Sequence, residues 1–91
     1  MLDPKTIITR NPDCIASEID GEIVLIDISS SRYFGFNPVG SEIWRLLEQP
    51  SSLEALCGAI ADLFEGDAAR MEQETVSFVE LLADRELVAL G

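Results

Sequence analysis

The residues able to do chemistry in this sequence are two cysteines, a set of carboxylates and a run of serines, and none of them has the partners that catalysis requires. Cys14 and Cys57 fall in segments of different character and form no close-spaced motif. Each reads as a small buried hydrophobe rather than as a nucleophile or half of a disulfide. The chain has no histidine, which removes the commonest general base and metal ligand. A Cys–His or Ser–His pair is therefore excluded within it, and two separated cysteines make no zinc site. Gly21, Gly35, Gly40, Gly58 and Gly66 stand apart from one another, so no glycine-rich loop cradles a phosphate. Glu72, Glu74, Glu80, Asp84 and Glu86 accompany an apolar stripe, as charges do on the solvated face of a helix. Ser29-Ser30-Ser31 reads as a turn. These residues predict a non-catalytic chain with no catalytic residues, no metal and no cofactor.

A binding role is left, and the charge restricts its partners. With 17 acidic against 6 basic residues the formal net charge is −11. Nucleic acid is bound by Lys and Arg that displace counterions from phosphate, and this chain would repel phosphate. An anionic membrane surface is disfavoured for the same reason. The partner is either neutral or basic, or docks through an apolar groove while the charge serves solubility. At 91 residues the expectation is one domain, 1–91, because a second core would need more chain. The first residues, Met1-Leu2-Asp3-Pro4-Lys5, lack the basic stretch and apolar run of a signal peptide. No apolar segment approaches the roughly 20 residues that span a bilayer, so the expected compartment is the cytoplasm.

The elements that would position a binding surface divide into a strand-like first half and a helical second half. Thr6–Thr9 has the pattern of a short edge strand stopped by Asn11-Pro12-Asp13. Cys14–Ile19 and Glu22–Asp27 flank Asp20-Gly21, a tight-hairpin signal. After the serine turn, Arg32–Phe36 reads as a third main strand. Asn37-Pro38 then switches the chain to helix, with Asn as N-cap and Pro at the first helical position. Val39, Ile43, Trp44, Leu46 and Leu47 form the apolar face of a first helix ending before Pro50. Ser51-Ser52-Leu53-Glu54 fits a capping box for a second, whose stripe is Leu53, Leu56, Cys57, Ile60, Leu63 and Phe64. Gly66-Asp67 ends it and is placed to cap a third, with Met71, Thr75, Phe78, Val79 and Leu82 inward and Val76 and Ala83 on one flank. Leu87–Leu90 is a short apolar tail suited to pairing or packing on the core. The order predicts an α+β domain resembling a winged helix-turn-helix, with a three-stranded antiparallel sheet followed by three helices. Such a sheet has two edges, each of which must be covered, blunted or used.

Ile23-Val24-Leu25-Ile26-Asp27, then Tyr33-Phe34-Gly35-Phe36-Asn37-Pro38-Val39-Gly40, then Ile43-Trp44-Arg45-Leu46-Leu47 resemble the PqqD-like family. Its members carry a strand ending in Asp, a Tyr…Asn-Pro-x-Gly segment and an Ile-Trp pair. Phe78–Leu82 and Leu87-Val88 resemble that family's third helix and terminal Leu-Val, so the similarity runs from about Asp13 to Leu90. Two positions depart: an Asp-Val pair common early in the third helix is Glu74-Thr75, and the Gly often preceding the final Leu-Val is Glu86. The resemblance implies a recognition element for ribosomally made, modified peptides, in which a leader peptide adds as a strand beside the third strand and rests side chains on the third helix. Standalone members serve lasso-peptide biosynthesis, handing the precursor to a leader peptidase and a cyclase, and this chain is most similar to those. Others partner radical SAM enzymes, as in pyrroloquinoline quinone synthesis, which is the alternative reading.

The residues alone support the same site. Strand addition draws affinity from backbone groups and specificity from nearby pockets. Arg32, Tyr33, Phe34, Gly35 and Phe36 end the meander and so form a sheet edge, where Gly35 allows close approach of another backbone. Phe34 and Phe36 are expected to face the core, while Tyr33 is either a peptide contact or an ordinary exposed aromatic. Trp44 is expected to anchor the core. On the third helix the expected peptide-facing residues are Glu72, Val76, Val79, Glu80 and Ala83, with Glu72, Glu80 and Asp84 favouring leaders that carry Lys or Arg. A DNA-binding winged helix shares the element order, but the second helix has no Lys or Arg and the third only Arg70 and Arg85.

Overall fold

The computed structural model describes residues 2–91. Strand β1 (Ile7–Arg10) is followed by β2 (Cys14–Ile19), β3 (Glu22–Asp27) and β4 (Arg32–Gly35). Helix α1 (Pro38–Leu46), strand β5 (Ser51–Ser52), helices α2 (Leu53–Leu63) and α3 (Ala68–Asp84), and strand β6 (Val88–Leu90) complete the chain. The result is the expected α+β class, with two antiparallel sheets and three helices.

The meander β2–β3–β4 is one sheet, with β3 central. Asp20 and Gly21 both adopt positive φ (52° and 84°) between the closing pair Ile19 and Glu22, the two-residue turn whose twist suits a hairpin. β3 alternates: Ile23, Leu25 and Asp27 are buried against the helices, and Val24 and Ile26 lie on the other face. Asp27 is buried because it builds the next turn. Its carboxylate accepts hydrogen bonds from the Ser29 and Ser30 hydroxyls, each at 2.8 Å, and from the Ser29 backbone N–H at 3.1 Å.

Those bonds, the Ser30 hydroxyl first and the Ser29 hydroxyl next, hold the Asp27 carboxyl below the ordinary aspartate range. A depressed folded-state pKa contributes stability above the unfolded pKa that is lost as pH falls through the folded value. Asp27→Asn should therefore lower the thermal midpoint at neutral pH and flatten its fall on acidification. A variant whose acid unfolding curve parallels the parent's would assign the acid sensitivity to other carboxylates.

The second sheet, order β5-β1-β6, is an addition to the meander that the sequence announced only as an edge strand and an apolar tail. It joins the chain's two ends: Ile7 and Gly91 exchange backbone hydrogen bonds, both at 2.9 Å. The Leu53 N–H also donates to the Thr6 carbonyl at 2.9 Å, tying the start of α2 to the same strand.

Each helix starts on a side-chain cap. Asn37 accepts from the Gly40 N–H with Pro38 at the first turn, Ser52 accepts from the Ala55 N–H, and Asp67 accepts from the Ala69 N–H. The cap of α2 is thus Ser52, one residue later than a Ser51-to-Glu54 box would place it. At the far end of α3, Glu86 takes a positive φ of 60°, the helix-terminating conformation that glycine adopts at least cost.

The core unites all three helices with both sheets: Ile8, Ile23, Leu25, Phe36, Ile43, Trp44, Leu56, Ile60, Val79 and Leu82 are buried together. Ser41, fully buried, links α1 to the meander. Its hydroxyl accepts from the Ile23 N–H at 2.9 Å and donates to the Phe36 carbonyl at 3.4 Å.

Candidate peptide-binding groove

The free edge of β4 is the feature on which the site is built. The Phe36 N–H donates to the Ile23 carbonyl at 2.9 Å, so Phe36 points its backbone groups at β3. Antiparallel pairing alternates inward and outward residues. Phe34 and Arg32, opposite Leu25 and Asp27, therefore also face β3, while Gly35 and Tyr33 direct their N–H and C=O groups away from it. Among the described residues no strand pairs with that outer side. A strand added there would find two residues' worth of unpaired donors and acceptors.

The side chains divide the other way. Phe36 and Phe34 share the face of Ile23 and Leu25, and Phe36 is buried while Phe34 is half-buried. Tyr33, opposite Ile26, lies on the far face and is 72 % exposed. Its ring can meet only those peptide side chains that point away from the helices. Gly35 has open space where a Cβ would stand.

Past the end of β4, α1 and α3 enclose a groove of about 520 Å³ lined by Asn37, Val39, Gly40, Arg70, Gln73, Glu74, Ser77, Phe78 and Leu81. Phe78 joins the groove to the strand: its ring meets Phe36 edge-to-face at a centroid distance of 5.0 Å. Gly40 makes that possible, since a Cβ there would lie 2.8 Å from the Phe78 ring. The apolar floor is thus Phe78, Val39 and Leu81, and the polar rim includes Arg70, which pairs with Glu74 at 3.4 Å.

The structure places the expected α3 residues away from this groove. Val79 is fully buried and stands behind the groove. Glu72 and Val76 line a different cavity of about 440 Å³, shared with Leu53, Cys57, Gly58 and Ala61 of α2. A helix turns about 100° per residue, which puts Glu80 and Ala83 on that same flank. The buried stripe of α3 has an apolar residue on each side, Val76 and Ala83 on one and Phe78 and Leu81 on the other. Nothing in the helical pattern says which side meets β4. The usable signal was Arg70-x3-Glu74-x3-Phe78-x2-Leu81, a second stripe at helical spacing.

Neither cysteine bears on the groove chemically. Burial, and then the Asp27 and Asp13 charges, push the Cys14 thiol up, while burial and then Glu72 do so for Cys57. Both stay protonated at neutral pH and are poor nucleophiles. No three histidine, cysteine, aspartate or glutamate side chains converge as a metal site among the described residues. No described helix is long and apolar enough to cross a membrane.

An α+β domain with an open strand edge near an apolar groove has the geometry that can accept an added strand. The model of the family described as coenzyme PQQ synthesis protein D (PqqD) matches residues 22–88, and the chain belongs to that family. No curated protein matches it. Among solved structures it is similar to one described as TbiB1 in complex with the TbiA(beta) leader peptide, at 32% identity and a TM-score of 0.80, covering 88% of this chain and 93% of that one. Another, described as lasso peptide synthetase B1 complexed with the leader peptide, shares the fold at 20% identity and a TM-score of 0.75, covering 90% of this chain and 96% of that one.

Proposed function

We propose that this chain is a non-catalytic leader-peptide-binding protein of lasso-peptide biosynthesis. It acts as one recognition unit over residues 1–91, holding the precursor's leader as an added strand on β4 and presenting it to a leader peptidase and a cyclase in the cytoplasm. The observation that carries this reading is the outward-facing backbone of Tyr33 and Gly35 beside the Phe36–Phe78 groove. Its support from relatives is the likeness to TbiB1, which is described in complex with a leader peptide. The absence of histidine from the chain supports the non-catalytic part.

The TbiA(beta) leader peptide is a ready probe. Titrated into isotopically labelled protein, it should shift the amides of Arg32–Phe36 together with those of the Arg70–Leu81 flank. Shifts confined to Thr6–Ser17 or to α2, with β4 untouched, would place the site elsewhere. The chain alone should leave the peptide intact, and cleavage or modification of it by the purified protein would overturn the non-catalytic assignment.

A further inference from the structure

The chain carries 6 basic residues in a strongly acidic background, and their placement is uneven. Arg10 lies over the Trp44 ring, 4.7 Å from its centroid, and Arg45 clasps Glu18 and Glu42. Arg32, Arg70 and Arg85 are exposed, and of the three Arg70 lines the groove while Arg32 begins β4 and Arg85 caps α3. Arg70 is tied to Glu74. Arg32 makes no ion pair among the described residues, because the carboxylate of Asp27 opposite it is held by the serines of the turn. The nearest carboxylate to Arg85 is its own neighbour Asp84, at 4.0 Å, with both side chains exposed.

Strand β4 and helix α3, which carry Arg32 and Arg85 at their ends, are joined at Phe36 and Phe78. Arg85 follows Leu81 by four residues and Phe78 by seven, which continues the groove-facing flank of α3. The Asn11 side chain donates to the Glu86 carbonyl at 2.9 Å and its backbone N–H donates to the Leu87 carbonyl at 2.9 Å, so the end of α3 sits beside the start of β2. That start, Cys14, pairs with Asp27, which pairs with Arg32.

We infer that the groove selects leaders by a period-two rule: two apolar residues spaced by one, then, after one more, an Asp or Glu that meets Arg32 and Arg85. The inference rests on strand addition at β4. An added strand places alternate side chains beside Phe36, Phe34 and Arg32 on one face, close enough to pair across strands. The first two sites are walled by Phe78 and Leu81, and the third by Arg32, which makes no ion pair among the described residues, and Arg85, whose one ion pair, with Asp84 at 4.0 Å, is solvent-exposed. The net charge of −11 acts against an acidic peptide at a distance. Beyond a screening length of about 8 Å at physiological salt that repulsion fades, so the contact pair decides the equilibrium.

A random peptide library displayed on phage and selected on the immobilised protein tests this. Wild-type selections should enrich the apolar-x-apolar-x-acidic spacing, read in either chain direction. The Arg32→Glu, Arg85→Glu double variant should weaken those peptides about tenfold and enrich Lys or Arg at the third site. Both positions are exposed, and the Arg32→Gln, Arg85→Gln pair, expected to weaken the same peptides about threefold, serves if the reversal perturbs folding. Binders that shift β4 amides yet carry Lys, or no preferred charge, at that site overturn the rule alone. A library without binders, or with binders mapping away from β4, overturns the strand-addition reading and the rule with it.

Discussion

Replacing Gly35 with proline is expected to cut leader affinity about tenfold or more while leaving the protein folded. The loss comes from geometry at one atom. The Gly35 N–H points away from β3, since the neighbouring Phe36 N–H is the one that donates to Ile23. A proline ring there removes an outward donor and occupies the space an incoming strand needs, as proline does on natural sheet edges. One lost hydrogen bond accounts for about 0.5–1.5 kcal/mol, and the obstructed pairing of neighbouring groups adds to it. The fold should survive, because no internal hydrogen bond uses that N–H and a Cβ at this position meets nothing within 4 Å. Phe34, preceding it, is already in the extended conformation that a following proline demands. Isothermal titration with a leader peptide, alongside thermal melts, separates the two effects. Unchanged affinity in a folded variant would show that the leader does not pair with β4.

Trp44→Ala should be the most damaging single truncation, at about 3–5 kcal/mol. Trp44 is 2 % exposed, its ring lies 6.0 Å from that of Phe36, and Arg10 both covers it and donates to its carbonyl. Against a total stability of about 5–15 kcal/mol for a domain of this size, that leaves little margin. The damage should reach the groove as well, because Phe36 leans on Trp44 and Phe78 leans on Phe36. Trp44→Phe should cost much less: it keeps an aromatic ring at the site and forfeits no hydrogen bond to protein, the indole N–H having no such partner among the described residues. Urea titrations of the three proteins give the comparison, and a loss below about 1 kcal/mol for Trp44→Ala would show that the core closes over the gap.

Much of this was legible in the sequence because it is governed by local rules. The Asp20-Gly21 hairpin, the Asn37-Pro38 start of α1 and the Asp67 cap of α3 are decisions made by a few neighbouring residues with strong backbone preferences. The apolar run Ile23–Ile26 likewise marks a strand, though only the structure shows that Ile23 and Leu25 enter the core, and the lack of histidine and of a phosphate loop bounds the chemistry without any structure. The second sheet was not legible in the same way. Strand β5 is two serines, and β6 pairs with β1 from the other end of the chain, so neither has a local pattern to read.

The groove wall depended on tertiary structure for a related reason. A helix with Met71, Thr75, Val79 and Leu82 inward has two flanks that are equivalent to any periodicity argument, and both carry apolar residues. By itself the sequence determined that α3 would be amphipathic, that Arg32–Phe36 would lie at a sheet edge, and that Trp44 would be core. Only the packing of α3 against α2 on one side and against Phe36 and Gly40 on the other decided that Phe78 and Leu81, rather than Val76 and Ala83, line the groove next to Phe36. Helical periodicity fixes what is buried, but the sense of rotation relative to a distant strand is set by long-range contacts.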